Sequence, residues 1–235
     1  MRRTVVLLAV LAFALPQLAA AQGRGAELFL QGCVSCHGSD ARGLSPTGDH
    51  FGPPLRGVGA RAADFYLTTG YMPLRKADEE PVRKSSPYTD EEIRALVQYI
   101  GTFGGPPIPH PNPQRGNVGE GMRLFAQNCA GCHQIAAQGG LITGGTAPEL
   151  DRSTPTQIAE AVRIGPYLMP RFTRAQLDDR QVDSIIRYVE LTKSPDDRGG
   201  WGIGHLGPIP EGLVAWLLAG GVLLGIAFVI GGRAP

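Results

Sequence analysis

The chain has 235 residues, a hydrophobic content of 43% and a formal net charge of +1 at pH 7. This length accommodates two small domains with additional segments. The near-neutral charge argues against a nucleic-acid partner, because proteins that bind the phosphate backbone are usually strongly basic.

The N-terminal segment, residues 1–22, has the pattern of an export signal. Arg2 and Arg3 give it a positive start, residues 4–15 are almost wholly apolar, and three alanines at 19–21 supply small residues for cleavage. We predict cleavage after Ala21. The alternative is an uncleaved N-terminal anchor, although the apolar run is shorter than the ~20 residues of a membrane span.

The pattern Cys-x-x-Cys-His occurs at residues 33–37 and again at 129–133, and it uses all four cysteines. This pattern is the attachment signature of c-type haem: the two thiols add to the two haem vinyl groups, and the adjacent histidine binds the iron. The predicted attachment residues are Cys33, Cys36, Cys129 and Cys132, with His37 and His133 as axial ligands. The sequence therefore predicts two covalently bound haem c groups.

Three other interpretations of the cysteines remain open at this point. A disulfide within each pair would leave the two histidines unexplained. A zinc site needs its cysteine pairs closer together than these are. A thioredoxin-like site would lie in a βαβ pattern, and no strand-rich stretch surrounds either motif.

The two halves of the sequence repeat each other. Residues 25–33 align without gaps to residues 121–129, and later matches keep their order. Each repeat is predicted to be mostly helical. In the first, a closing helix begins at Thr89 with Glu92 in a capping box; in the second, apolar residues from Val182 to Val189 recur at helical spacing.

This pattern resembles class I cytochrome c, in which N- and C-terminal helices cross beside the haem. We predict that Gly25 and Gly121 let the crossing helices approach closely. The fold class is then all-α: two tandem class I cytochrome c domains, at residues 24–103 and 119–193, followed by one C-terminal transmembrane helix. About eight extra residues in the first repeat are assigned to a surface loop within residues 77–87.

Each iron needs a second axial ligand, and two methionines occupy matched positions in the repeats. Met72 and Met169 are each followed by proline, 35 and 36 residues after the predicted haem histidine. A thioether opposite histidine raises the reduction potential. The competing ligands His50, His110 and His205 have no matched partners, and His50 is the serious alternative, for the first haem alone.

The class I resemblance also implies a second contact for each haem histidine. In that family a proline carbonyl in a Gly-Pro-x-Leu segment accepts the hydrogen bond of the other ring nitrogen. Pro53 and Pro148 stand at the matching positions here, although Ala147 replaces the glycine in the second repeat.

The remaining segments are a linker, a neck and a membrane span. Residues 104–118 contain five prolines and are predicted to be extended and semi-rigid. Residues 194–212 form a Gly/Pro-rich neck. Residues 213–232 are uncharged and long enough to cross a bilayer as a helix. The haem domains would then lie on the extracytoplasmic side of the cell membrane and the C-terminus in the cytoplasm.

The segment from Gly199 to Trp216, together with the domain order, resembles the diheme cytochrome c subunit of actinobacterial-type cytochrome bc complexes. The resemblance implies a quinol–cytochrome c reductase in which a cytochrome b subunit oxidises menaquinol, a Rieske iron–sulfur subunit delivers electrons to this chain, and the two haems pass them to a cytochrome c oxidase. The chain itself would carry electrons and have no substrate site. The alternative is an electron-transfer subunit of a periplasmic dehydrogenase or of a terminal oxidase.

Overall fold

A computed structural model describes residues 23–45, 51–194 and 208–232. The predicted export signal, His50, His205 and most of the neck lie outside the described residues. The chain divides after Ser194 into two compact units, one holding both repeats and one holding the C-terminal helix.

The first repeat contains four helices: α1 at 23–32, α2 at Val34–His37, α3 at Gly59–Thr68 and α4 at Asp90–Gly101. The predicted start of α4 is confirmed. The Thr89 hydroxyl accepts the Glu92 backbone N–H, and the Glu92 carboxylate accepts the Thr89 backbone N–H, so two free donors of the first turn are satisfied.

Helices α1 and α4 pack against each other in the core of the first repeat. Gly25 contacts the Ala95 carbonyl so closely that a Cβ would overlap it. The Phe29 and Tyr99 rings pack beside this contact with centroids 5.5 Å apart. Phe29 is fully buried, which makes this crossing the centre of the first apolar core.

The second repeat follows the same plan. A 3₁₀ turn at Pro113–Arg115 precedes α5 at Val118–Asn128, α6 at Ala130–His133, α7 at Pro155–Ile164 and α8 at Asp179–Lys193. Gly121 on α5 packs against the Ser184 carbonyl of α8, and the Phe125 and Tyr188 rings lie 5.3 Å apart. The predicted apolar face of α8 is buried, with Val189 fully enclosed.

A small hairpin after α6 is a feature that the sequence analysis missed. Strand β1 at Gly140–Ile142 pairs antiparallel with β2 at Gly145–Ala147. Gly144 lies in the two-residue turn between the strands and has a positive φ, a conformation that glycine adopts without steric cost. The fold remains mostly helical, and the hairpin brings the segment around Ala147 and Pro148 towards His133.

The proline-rich linker makes hydrogen bonds to both repeats. The Arg61 amide donates to the Pro106 carbonyl at 3.2 Å, and the Asn112 amide donates to the Asp183 carboxylate at 2.7 Å. Asp183 is buried, so this second bond is shielded from water. The linker therefore holds specific contacts at both ends, in addition to the stiffness expected from its prolines.

The C-terminal unit contains α9 at Pro208–Gly231, and within it Gly212–Gly231 is long and apolar enough to cross a membrane, with a mean hydropathy of 2.6. The candidate span lies close to the predicted 213–232, and the helix itself begins five residues before 213, within the segment predicted as the neck. Pro208 and Pro210 stand in the first turn, where a missing backbone N–H breaks no helical hydrogen bond.

Candidate haem sites

The first candidate site is built on the single turn of α2. The His37 amide donates to the Cys33 carbonyl at 2.9 Å and the Cys36 amide to the same carbonyl at 3.3 Å. This turn places the two cysteines three residues apart, with the histidine directly after them. His37 is 9% exposed, which shields the imidazole from bulk water.

The His37 ring is held by the backbone of a neighbouring segment. Its Nδ1 lies 2.8 Å from the Pro53 carbonyl oxygen, and a carbonyl oxygen only accepts, so Nδ1 must carry the proton. Nε2 then keeps a free lone pair, the form in which imidazole binds a metal. A Cβ on Gly52 would lie 3.0 Å from the His37 ring, so the absence of a side chain at this position allows the Gly52 backbone to approach the ring closely.

The second candidate site repeats this arrangement. The His133 amide donates to the Cys129 carbonyl at 2.9 Å, and His133 Nδ1 lies 3.0 Å from the Pro148 carbonyl oxygen. Burial lowers the pKa of His133 despite the opposing effect of the Pro148 hydrogen bond, which favours the neutral imidazole. Ala147 takes the place of Gly52 here, and both residues are paired antiparallel with a neighbouring segment, Ala147 with Gly140 and Gly52 with Leu44.

The two predicted methionine ligands lie on the core of their own repeat. Met72 packs with Cys33 against the first apolar core, and Met169 packs with Cys129 against the second. Both methionines are half-buried. Met122, in contrast, is 51% exposed and has no matched methionine in the first repeat. Each methionine therefore packs against the same apolar core as the first cysteine of its own Cys motif.

These residues fit a covalently bound haem. All four cysteines are free thiols, and each histidine presents one ring nitrogen without a hydrogen bond to the described chain. Burial raises the pKa of the Cys33 and Cys129 thiols to about 11. Catalytic redox cysteines need a lowered pKa, so the thioredoxin-like alternative is disfavoured.

The structure does not favour His110 as an iron ligand or the zinc interpretation of the cysteines. His110 borders a cavity of about 300 Å³ that is lined by the linker and by residues of α3, α7 and α8. Within the described ranges, no group of three or more His, Cys, Asp and Glu side chains is placed to hold a metal ion, as a zinc site would require.

The sequence analysis missed a polar interface between the repeats. The Arg83 guanidinium donates to Gln157 Oε1 at 3.0 Å and to Ser153 Oγ at 3.3 Å, and Gln157 Nε2 donates to Thr68 Oγ1 at 3.1 Å. Arg83 lies in the loop that was assigned to the surface. The loop is at the surface as predicted, with Val82 54% exposed, and Arg83 also bridges the two repeats. No local pattern reveals this bridge, because the partners of Arg83 are about 70 residues away along the chain.

Comparison with family models identifies each repeat separately. Residues 23–103 match the model described as cytochrome c. Residues 116–189 match the model described as cytochrome c oxidase, cbb3-type, subunit III. The two matches cover the two structural repeats and agree with a pair of cytochrome c domains.

Curated relatives extend over most of the chain. The chain is 36% identical over 220 residues to the cytochrome bc1 complex cytochrome c subunit of Mycobacterium tuberculosis, covering 89% of this chain and 77% of that protein. It is 32% identical to the subunit of the same name from Corynebacterium diphtheriae, covering 89% and 80%. A cbb3-type oxidase subunit CcoP from an Azospirillum strain is 26% identical, covering 72% and 61%.

Among solved structures, reduced recombinant cytochrome c4 from Pseudomonas stutzeri matches with 22% identity over 73% of this chain and 96% of that chain, at a TM-score of 0.24. This likeness is too weak to support an argument, so the assignment depends on the curated relatives. Their alignments cover 89% of this chain and so include both cytochrome c domains. The chain belongs to the family of cytochrome c subunits of the cytochrome bc1 complex.

Proposed function

We propose that this chain is the membrane-anchored diheme electron-transfer subunit of a quinol–cytochrome c reductase. It takes electrons from a Rieske iron–sulfur subunit and passes them through two haem c groups towards a cytochrome c oxidase. The observation that carries the proposal is the repeated arrangement of a Cys-x-x-Cys-His turn, a histidine bound to a proline carbonyl, and a methionine on the same core.

The chain's residues have separate roles in this proposal. Cys33, Cys36, Cys129 and Cys132 would attach the haems, and His37, Met72, His133 and Met169 would bind the irons. When bound, the haem supplies an iron that gains and loses one electron reversibly. The Pro53 and Pro148 carbonyls orient the two histidines and keep their ring protons on Nδ1.

With one histidine and one methionine bound to it, each haem iron would have no open position for a substrate. This supports electron transfer as the role of the chain, with quinol oxidation on a separate cytochrome b subunit. Helix α9 supports a membrane anchor. We place the haem domains on the extracytoplasmic side and the C-terminus in the cytoplasm, because covalent haem attachment follows export.

The test is a mild-detergent purification of the C-terminally tagged chain, with reduced-minus-oxidised spectra and low-temperature EPR. Haem b together with a Rieske signal is the expected result, and additional haem a with copper would extend the assignment to a reductase–oxidase assembly. Haem c accompanied by only a flavin or quinoprotein dehydrogenase would contradict the proposal. Copurification with a haem b and copper oxidase but no Rieske signal would favour the terminal-oxidase alternative, to which the cbb3-type family match is relevant.

A further inference from the structure

The interface between the two repeats contains a pair of carboxyl groups at equivalent positions. Helices α3 and α7 are both ten residues long, and they pack against each other. Asp64 is the sixth residue of α3, and Glu160 is the sixth residue of α7. The packing of the two equivalent helices therefore brings one carboxyl group from each repeat to the same interface, and each carboxyl group shifts the pKa of the other.

Glu160 has the surroundings of a proton-binding group. Its side chain is 0% exposed, and neither of its carboxylate oxygens has a hydrogen-bond donor among the described residues. A buried carboxylate without a donor is costly, because it loses its hydration and gains nothing in return. Asp64 is the adjacent polar group, and two ionised carboxylates cannot hydrogen-bond to each other. A proton placed between them removes both difficulties.

Arg61 on α3 is the basic group whose charge acts on Glu160. Arg163 on α7, and Arg171 and Arg174 in the segment after α7, act in turn on Arg61. Arg163 and Arg174 are both bound to Asp179, at 2.7 and 3.1 Å. Within the described part of the chain, Arg61 has no salt bridge, and its buried Nε has no acceptor.

The charge balance favours one shared proton. Glu160 and Asp64 with one proton carry a single negative charge, which Arg61 can neutralise across the interface. Two ionised carboxylates would leave an excess negative charge in a site with little access to water, and this is disfavoured at close range. Asp64 is only half-buried, so protons can reach the pair from the solvent on its side.

We propose that Asp64 and Glu160 form an interdomain proton-binding site, in which one proton taken from water is shared between the two carboxyl groups. The site links the two cytochrome c domains through a carboxylic acid–carboxylate hydrogen bond. The proposal does not depend on the identity of the complex in which the chain works. Burial and the neighbouring Asp64 charge raise the pKa of Glu160 to about 9, in agreement with a bound proton at neutral pH.

The experiment is infrared spectroscopy of the full-length holoprotein in detergent over a pH titration. Ordinary Asp and Glu side chains have pKa values of about 4 and are ionised at pH 7. We expect a protonated-carboxyl band that persists at neutral pH and shifts in D₂O. Glu160→Gln should remove this band, whereas the exposed control Glu91→Gln should retain it. Absence of the band in the unmodified protein, or its persistence in Glu160→Gln, would overturn the proposal.

A second variant tests whether the proton is shared. Asp64→Asn places an amide donor beside Glu160, so Glu160 can ionise and accept its hydrogen bond. We expect the band to disappear at neutral pH in this variant. If the band remains unchanged, Glu160 holds the proton alone and the shared pair is incorrect. Absorption spectra of the reduced haems verify that each variant is folded and loaded.

Discussion

Gly121 on α5 lies directly against the backbone carbonyl of Ser184 on α8, with no room for a side chain between the two helices. The Tyr188 side chain closes the same contact, and its Cβ would lie 3.0 Å from a Cβ at position 121. The equivalent contact in the first repeat joins Gly25 to Ala95. A glycine at each crossing sets the distance between the helices that frame each candidate haem site.

Gly121→Ala should therefore destabilise the second domain. The added methyl group overlaps a backbone atom that cannot rotate away, and overpacking of this kind costs about 1–3 kcal/mol. Chemical denaturation of the holoprotein, followed at the haem absorption, measures the effect. Gly119→Ala on the same helix is the matched control, because its Cβ would meet only Asn117 Oδ1 at 3.4 Å. Equal stability of the two variants would show that the close approach is unimportant.

Met169→His should retain the haem of the second domain but lower its reduction potential. Histidine stabilises the oxidised iron relative to a thioether, and axial ligands span about 0.8 V, so we expect a shift of roughly 0.1 V or more. Redox titration of the two haems measures it. Met122→Leu is the control, since that side chain is 51% exposed. An unchanged potential in Met169→His would remove this residue as a ligand.

Arg83→Ala should weaken the contact between the two domains without unfolding either one. The substitution removes hydrogen bonds from a charged donor to Ser153 and Gln157, which are worth about 1–3 kcal/mol together after partial exposure is considered. Hydrogen–deuterium exchange should increase in residues 78–87 and at the start of α7. Arg94→Ala is the control, because Arg94 is exposed and only reaches Glu91 at 4.0 Å. Unaltered exchange in both variants would argue against a bridging role for the loop.

Glu160 should make the free energy of unfolding of the unit that holds both repeats fall as the pH rises from about 4.5 towards about 9. Burial, followed by the charge of Asp64, raises the pKa of Glu160 from 4.5 to about 9 in the folded protein. Between these two pH values the folded state binds more protons than the unfolded state. The stabilisation from the proton on Glu160 is therefore complete below the pKa of Glu160 in the unfolded chain, and it is lost as the pH approaches the pKa of Glu160 in the folded protein. Denaturation at a series of pH values measures the slope, which should flatten in Glu160→Gln. A slope that is the same in both proteins would assign the pH dependence to other groups.

Deletion of residues 205–235 should release a soluble diheme protein, because it removes the span Gly212–Gly231. Fractionation of membranes, with haem-stained gels, measures the distribution. If the truncated chain stays in the membrane fraction, the N-terminal segment acts as an uncleaved anchor. Deletion of only the last three residues, 233–235, serves as the control and should leave the protein in the membrane.

The sequence by itself determined the local features of this protein. The capping box at Thr89 and Glu92 and the helical spacing of Val182 to Val189 are properties of consecutive residues, and the structure contains both. The glycines at 25 and 121 could be predicted as crossing points because the repeat alignment places them on paired helices. The Cys-x-x-Cys-His turns likewise need only one turn of backbone to bring their functional groups together.

The tertiary structure alone decided how the repeats meet. The loop around Arg83 has a polar sequence that is typical of a solvated surface, and its partners lie far away along the chain. The β1–β2 hairpin is too short to show a periodic pattern of apolar residues, and nothing in the separate sequences of α3 and α7 indicates that Asp64 and Glu160 meet. Only the packing of α3 against α7 makes them neighbours, because burial and charge proximity depend on the surfaces that meet and cannot be derived from either helix separately.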